Sequence, residues 1–227
     1  MLTAILFDLD GTLVNTDPTH YRAWQEMLLN YSIEIDETFY KSRISGRLNP
    51  EIVKDILPQL SVAEGEKFAD EKEALFRKLA PHLKPLNGFL ELLAWTDAHH
   101  LNRALVTNAP RLNAEFMLEV LEIKEAFPTI VLADDCIAGK PDPAPYQVAL
   151  NKLGIQADQA IALEDSPSGI RAAVGAGIRT IGIASTHNPQ VLLEVGAFMA
   201  ISDFTDLQLW TLLNSLVDQA YAHSIDS

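Results

Sequence analysis

Two pairs of acidic residues each follow a short apolar run of the chain. Asp8 and Asp10 flank one leucine, and Glu164 is adjacent to Asp165. Paired carboxylates suit a hard cation, or a nucleophile with an acid/base partner. A turn or helix cap is the alternative for each pair, although a cap role explains only one of Glu164 and Asp165. Because carboxylates at strand ends are costly unless they are paired or metal-bound, the four are predicted to form an oxygen-rich Mg²⁺ site.

Two further polar segments complete a candidate reaction centre. Thr107-Asn108 ends another apolar run, and Lys140 lies between Gly139 and Pro141 in a stiff loop. A hydroxyl beside free backbone N–H groups can hold phosphate oxygens, with an N-cap role for Thr107 as the alternative. A lysine held in such a loop near four carboxylates is predicted to be an organised counter-charge, with an ordinary solvated lysine as the alternative. Together the four segments supply a nucleophile, metal ligands, a hydroxyl and a cation.

The elements that must position these residues are short apolar runs separated by helix-length segments. The runs are residues 3–7, 104–106, 129–132, 160–163 and 180–183. Their alternation with helical segments predicts an α/β fold whose core is a Rossmann-like parallel sheet. The polar residues then share the carboxyl edge of that sheet, where ligands bind in folds of this class.

A central stretch breaks the alternation. It contains amphipathic segments at residues 21–29, 50–57 and 62–79, with no buried strand among them. The predicted organisation is therefore a core of residues 1–14 and 84–227, with a helical cap domain of residues 15–83 inserted into it. Within the cap, the alternating charges of residues 64–78 predict an exposed helix face.

Charge and composition limit the partners. With 17 Lys and Arg against 31 Asp and Glu, the formal charge is −14, which disfavours nucleic acid and anionic membranes as partners. A phosphate site must therefore be made locally positive by a metal, a lysine and helix N-termini.

Cys136, the only cysteine, is predicted to be structural. The lack of a membrane-length apolar run and of a signal-peptide pattern predicts a cytoplasmic protein, expected to be a monomer or weak dimer.

The ordered motifs resemble those of the haloacid dehalogenase superfamily. They are Asp8-Leu9-Asp10-Gly11-Thr12, Thr107-Asn108, Lys140-Pro141, and Glu164-Asp165 followed by Ser168-Gly169. The helical insert between the first and second motifs is similar to the C1-type cap of the subgroup that contains β-phosphoglucomutase and many small sugar-phosphate phosphatases. The resemblance covers nearly the whole chain and implies a Mg²⁺-dependent phosphotransferase.

The resemblance also implies how the carboxylates divide the work. Asp8 would attack phosphorus to form an aspartyl-phosphate, while Asp10 would protonate the leaving oxygen and then activate water. Asp8, the backbone carbonyl of Asp10 and Asp165 would bind Mg²⁺, with Glu164 as a ligand or a partner of one. An aspartate with an ordinary pKa of about 3.9 is ionised at neutral pH, as a nucleophile must be, so one turn has to provide two different carboxylate environments.

The remaining site residues are implied to hold the substrate. Thr107 and Lys140 would bind the transferring phosphoryl group, and Asn108 would line the same pocket. In the cap, Arg47 is a candidate for the remote end of the substrate, with a solvated arginine as the alternative. His20 is a candidate substrate contact near the hinge, or a residue that fixes the hinge.

These features predict a phosphatase acting on a small phosphorylated metabolite, with a sugar phosphate as the expected class. The alternative is a mutase of the β-phosphoglucomutase type, in which Arg47 would bind a second phosphate. The run Gly46-Arg47-Leu48-Asn49 and the pair Thr107-Asn108 look more like the hydrolases. A non-catalytic binding protein of the same fold would not need the full set of reactive groups. Fold alone does not identify the substrate.

Overall fold

The structure is a computed structural model that describes residues 1–225 of the 227-residue chain. The chain divides into two compact units. The first contains Met1–Asn15 and the chain from Lys84 onward, and the second is Thr16–Leu83. None of the described helices combines the length and apolar character that a membrane span requires.

The first unit is built on a six-stranded sheet in which every pairing is parallel. The strands are β1 (Ala4–Phe7), β2 (Asn102–Thr107), β3 (Thr129–Leu132), β4 (Ala160–Glu164), β5 (Arg179–Ile183) and β6 (Met199–Ile201). Their order across the sheet is β3-β2-β1-β4-β5-β6. The order reverses between β1 and β4, and such a switch point opens a crevice at the carboxyl ends of the strands. The predicted fold class, an α/β protein with a Rossmann-like parallel sheet, is confirmed.

Ten α-helices are described. The second unit contains α1 (Asp17–Leu29), α2 (Glu37–Arg43), α3 (Asn49–Ile56) and α4 (Val62–Leu79). The first unit contains α5 (Phe89–Ala98), α6 (Arg111–Val120), α7 (Ala144–Leu153), α8 (Pro167–Gly175), α9 (Pro189–Glu194) and α10 (Leu207–Ile225). A capping box begins α4, because Ser61 and Glu64 satisfy each other's backbone N–H groups.

The central strands are short apolar runs in the sequence, as expected for parallel strands that are buried on both faces of a sheet. Every residue of β1 and β4 is buried. Each of the five predicted runs lies on a strand, with ends that differ by at most two residues. The sequence reading missed β6, a three-residue edge strand shorter than the usual strand length. It also missed α2, in which Tyr40 is the only buried residue among the seven described, so that no apolar stripe is visible.

The prediction of an exposed face for residues 64–78 is wrong at two positions. Lys67 and Glu71 on α4 are exposed, with 78% and 57% of their side chains accessible. Lys72 and Glu73, which directly follow Glu71 in the sequence, are buried. The alternating charges of the sequence do not distinguish the buried pair from the exposed pair, because both consist of a lysine and a glutamate.

Lys72 and Glu73 are buried as a paired cluster in the second unit. Lys72 Nζ lies 2.5 Å from Glu73 Oε1 and 3.2 Å from His20 Nδ1. Asn49 Nδ2 donates to Glu73 Oε1 over 2.6 Å. Burial by itself raises the pKa of Glu73, but the charge of Lys72, followed by that of His20, outweighs burial and lowers this pKa to about 2. Glu73 is therefore ionised at neutral pH inside the helical unit.

Candidate active site

The first unit gathers the predicted reactive residues at the carboxyl edge of its sheet. Asp8 directly follows β1, and its backbone N–H donates to Leu163 O over 3.0 Å. This bond continues the β1–β4 pairing by one residue and places Asp8 beside Glu164, the last residue of β4. Thr107 ends β2, the other neighbour of β1. The switch point of the sheet thus brings together residues that are about 150 positions apart in sequence.

Lys140 is the cation at the centre of this group. Its Nζ donates to Asp8 Oδ1 at 2.6 Å, to Glu164 Oε1 at 2.5 Å and to Val106 O at 2.7 Å. An ammonium group has three donors, so these bonds use all of them. Burial alone would lower the pKa of Lys140, but the charges of Asp8 and Glu164 more than compensate and raise it above its usual range. Lys140 is a permanently charged counter-ion to two buried carboxylates.

The backbone of Lys140 is held by Asn108. Asn108 Nδ2 donates to Lys140 O over 3.1 Å, and Lys140 N donates to Asn108 Oδ1 over 2.9 Å. The Lys140–Pro141 peptide bond is cis. Thr107 is buried, and its hydroxyl oxygen accepts from Ala109 N at 3.0 Å. It does not occupy the N-cap position of α6, which is Pro110.

Three carboxylates form a buried acidic cluster. Asp8, Glu164 and Asp165 each place a carboxylate oxygen within 4.8 Å of the others. Burial, partly opposed by Lys140 and reinforced by Glu164, raises the pKa of Asp8 to about 7. The sequence-based expectation of an ordinary pKa for Asp8 is wrong for the site without a metal, because it did not include this burial. Burial, followed by the charges of Asp8 and Glu164, raises the pKa of Asp165 well above its usual range. Lys140 alone therefore does not keep all three carboxylates ionised, and a further positive charge would favour their ionised forms.

The cluster fits a divalent metal ion on two observations. All three residues offer oxygen, the ligand that Mg²⁺ prefers. Glu164 Oε2 is also fully buried, and no donor in the described part of the chain reaches it. A buried acceptor without a partner is costly, and a cation beside it would remove that cost.

Hydroxyl groups that the sequence reading did not single out hold Asp165. Thr12 Oγ1 donates to Asp165 Oδ1 over 3.4 Å, and Thr186 Oγ1 donates to Asp165 Oδ2. Gly11 adopts a φ of +79°, and a Cβ at this position would overlap the Asp165 carboxylate. Thr186 lies in the loop after β5, so the rule that pointed to Thr107, a hydroxyl beyond the carboxyl end of a strand, also applies to it.

Tyr146 is a second residue that the sequence reading passed over. It is buried on α7, and its hydroxyl donates to Glu164 Oε1 over 2.7 Å. Burial, followed by the charge of Glu164, raises the pKa of Tyr146 well above its usual range. The sequence did contain a signal for its burial: Ala149 and Leu150 follow Tyr146 at a spacing of three and four residues, which places all three on one helix face. Those two residues are also buried.

Asp10 lies at the turn after β1 and is partly exposed. Among the described residues, its carboxylate is not in the group of close acidic oxygens formed by Asp8, Glu164 and Asp165. The sequence prediction gave its backbone carbonyl, not its carboxylate, to the metal. Both this role and the acid/base role of Asp10 stay predictions.

The two candidate substrate residues of the cap, Arg47 and His20, belong to the second unit. Arg47 Nη1 forms an ion pair with Asp55 Oδ2 at 2.9 Å. His20 lies beside Lys72, as described above. Their predicted contacts with substrate stay predictions.

Comparisons with known proteins identify the family. The model of the haloacid dehalogenase-like hydrolase family matches residues 5–183. Validoxylamine A 7'-phosphate phosphatase from Streptomyces hygroscopicus subsp. limoneus is 31% identical, over 92% of this chain and 97% of that protein.

Two solved structures share the fold over nearly their whole length. A HAD hydrolase of family IA, variant 3, from Entamoeba histolytica has a TM-score of 0.84 and 30% identity, covering 92% of this chain and 97% of that one. β-Phosphoglucomutase from Clostridium difficile has a TM-score of 0.82 and 25% identity, with both chains fully covered. The predicted family and the predicted hydrolase class are confirmed: this chain belongs to the haloacid dehalogenase-like hydrolases.

Proposed function

We propose that this enzyme is a Mg²⁺-dependent phosphatase that hydrolyses a small phosphorylated metabolite, with a sugar phosphate as the substrate class, through a phosphorylated Asp8. The observation that carries the proposal is the contact of Lys140 with both Asp8 and Glu164 beside Asp165. A carboxylate nucleophile, a fixed cation and a metal-binding acidic cluster are the groups that transfer of a phosphoryl group requires.

In the first step, an oxygen of Asp8 attacks phosphorus as the bond between phosphorus and the leaving oxygen breaks. Lys140 is bonded to Asp8 Oδ1, so it favours the ionised carboxylate and orients it. Asp10 gives its proton to the leaving oxygen, and the metabolite departs as an alcohol. The product of this step is an acyl phosphate on Asp8 and an ionised Asp10.

In the second step, Asp10 takes a proton from water as the water oxygen attacks phosphorus. The bond between phosphorus and Asp8 breaks, which releases inorganic phosphate and restores both carboxyl groups. Thr107 and Lys140 hold the phosphoryl oxygens during both steps, and for Lys140 this uses the donor that bonds Asp8 Oδ1 in the free site. Fixed donors placed where charge develops are the largest usual contribution to such reactions.

Asp8, Glu164 and Asp165, with the backbone carbonyl of Asp10, are the residues proposed to hold Mg²⁺. When bound, Mg²⁺ supplies positive charge that offsets the carboxylates and the phosphate oxygens. The protein has a formal charge of −14, so an anionic substrate depends on this local positive charge.

A phosphosugar mutase is the second candidate, because the β-phosphoglucomutase structure described above covers the whole chain. Such an enzyme needs a site for a second phosphate, and Arg47 is the cap residue proposed for it. Arg47 is already ion-paired with Asp55, so this cation is partly neutralised. That pairing and the relative named as a phosphatase favour hydrolysis. The proposed substrate roles of Arg47 and His20, and the specificity of the cap, rest on the sequence. The same holds for the proposed cytoplasmic location and for the proposed monomeric or weakly dimeric state.

The test is release of inorganic phosphate from a panel of sugar and small-metabolite phosphates, with Mg²⁺ and with EDTA. A coupled assay of β-glucose 1-phosphate conversion to glucose 6-phosphate runs beside it. We expect phosphate release that EDTA abolishes and Mg²⁺ restores. Asp8→Asn removes the nucleophile and should lower turnover by at least about 10⁴-fold while the protein stays folded.

Asp142→Asn is the matched control, since it makes the same change at an exposed position of the Lys140 loop. Isomerisation without phosphate release would establish the mutase instead. Near-normal turnover in Asp8→Asn would show that Asp8 is not the nucleophile. Full activity in EDTA would contradict the proposed requirement for Mg²⁺.

A further inference from the structure

Tyr146 packs its ring among apolar side chains and ends in a single polar atom. It is fully buried on α7 and belongs to a core cluster with residues of the central strands, such as Leu6 and Val106. A phenylalanine would fill the same space, so packing alone does not account for the hydroxyl. A buried tyrosine hydroxyl needs a hydrogen-bond partner, and here that partner is Glu164 Oε1, at 2.7 Å.

The two oxygens of Glu164 have different surroundings. Oε1 accepts from both Lys140 Nζ, at 2.5 Å, and Tyr146. Oε2 is buried, and within the described chain it has no donor. Because Oε1 already accepts two hydrogen bonds, Oε2 is the oxygen left for a cation next to Asp8 and Asp165.

The rotation of a glutamate carboxylate is not fixed by its own torsional preference, because the last side-chain torsion is broad and nearly two-fold. One hydrogen bond to Oε1 would allow the group to pivot about that contact. Two donors on the same oxygen, from a loop and from a helix, remove this freedom. Gly169 packs against the whole carboxylate, since a Cβ at this position would overlap both oxygens and the carboxyl carbon of Glu164.

We propose that Tyr146 is a positioning residue for the metal site: its hydroxyl, together with Lys140, holds Glu164 Oε1 so that Oε2 faces the cation. This inference rests on the proposed metal-dependent function. Tyr146 bonds Glu164 and is not one of the proposed phosphate or metal ligands, so it would act through Glu164.

The experiment is calorimetric titration of Mn²⁺, as a probe for Mg²⁺, into chelator-treated full-length protein without substrate. Tyr146→Phe should weaken Mn²⁺ binding about tenfold, the usual size of a lost partner of a metal ligand. In turnover assays, the Mg²⁺ concentration for half activation should rise by a similar factor. At saturating Mg²⁺, the KM for the phosphate substrate should stay within about twofold, because Tyr146 does not contact the phosphoryl group.

Tyr40→Phe is the matched control. Tyr40 is also buried, and its hydroxyl also donates to a carboxylate, Asp17 Oδ1 at 2.8 Å, but in the second unit. This variant loses the same kind of bond and should bind Mn²⁺ like the wild type. A general loss of stability would affect both variants, whereas the proposed role affects only Tyr146→Phe.

A double-mutant cycle separates a local role from a folding defect. In a Glu164→Ala background, Tyr146→Phe should cause no further loss of Mn²⁺ affinity, because the group that it positions is gone. Wild-type affinity in Tyr146→Phe, or equal losses in both backgrounds, would overturn the inference while leaving the proposed function intact. If the wild-type protein does not bind Mn²⁺ at all, the metal requirement fails together with the inference.

Discussion

At the scale of single residues, the site is organised around one buried cation that serves two carboxylates. Lys140 uses all of its donors within 2.7 Å, and two of them go to Asp8 and Glu164. Removing one partner from a buried ionic group leaves the other charges uncompensated, which costs more than the intact group gains. Lys140 therefore contributes to both the stability of the fold and the chemistry.

Replacing Lys140 by methionine tests both contributions. Lys140→Met keeps a similar volume but removes the charge. Turnover should fall at least about 100-fold through loss of a fixed donor, and the free energy of unfolding in EDTA should fall by about 3 kcal/mol. Urea unfolding and steady-state kinetics measure the two effects.

Lys152→Met is the control, since Lys152 is an exposed lysine on α7 whose Nζ donates to Ile130 O. It should leave turnover unchanged and stability within about 0.5 kcal/mol. A Lys140→Met protein as stable and active as this control would contradict the assignment of Lys140.

At the scale of elements, helix α8 fits against the site because its first turn lacks a side chain at Gly169. Ser166 caps the helix by accepting from Gly169 N at 3.1 Å. A Cβ on Gly169 would overlap the Glu164 carboxylate, whereas a Cβ on Gly175, at the other end of the helix, would make ordinary contacts with Pro143 from 3.5 Å outward. One helix thus contains a glycine that the site requires and another that it does not.

Alanine at the two glycines should act in opposite directions. Helix propensity alone favours alanine over glycine by about 0.5 to 1 kcal/mol. Gly175→Ala should therefore be neutral or slightly stabilising, with normal turnover. Gly169→Ala should destabilise the protein by about 1–3 kcal/mol through overpacking and lower turnover about tenfold by displacing Glu164. Urea unfolding and steady-state kinetics of the two variants test this prediction. Equal free energies of unfolding and equal turnover would show that glycine is not needed at position 169.

At the scale of the whole molecule, the chain holds two compact units with different kinds of buried charge. The first unit buries the acidic cluster with Lys140, and the second buries the pair Lys72 and Glu73. Many acidic residues contribute to the pH dependence of the free energy of unfolding, because the net charge is −14. A substitution at Glu73 measures the contribution of this one residue.

Glu73 should make stability depend on pH in a defined range. Its pKa is lowered from 4.5 to about 2, so the unfolded chain binds more protons between these values. The stabilisation is therefore present above about pH 5 and is lost as pH falls toward 2, and the shift corresponds to about 3 kcal/mol. Glu73→Gln should be less stable than the wild type by roughly this amount at pH 7, and the difference should vanish near pH 2.

Urea unfolding followed by tryptophan fluorescence checks this, since Trp24 lies in the same unit, 5.1 Å from Lys72 Nζ. Glu71→Gln is the control, because Glu71 is exposed on the same helix and should show no such difference at either pH. A gap between wild type and Glu73→Gln that persists unchanged at pH 2 would contradict the ionised state of Glu73.

The sequence by itself determined the family, the parallel sheet and the convergence of Asp8, Lys140, Glu164 and Asp165. Buried parallel strands are continuous apolar runs, and residues that follow them must meet at one edge. Only the tertiary structure decided which oxygen of Glu164 lacks a donor in the described part of the chain, that Tyr146 bonds the other, and that Lys72 and Glu73 are buried. These features depend on side chains that meet across elements far apart in sequence, and the same residue types on an exposed helix face would produce an identical pattern.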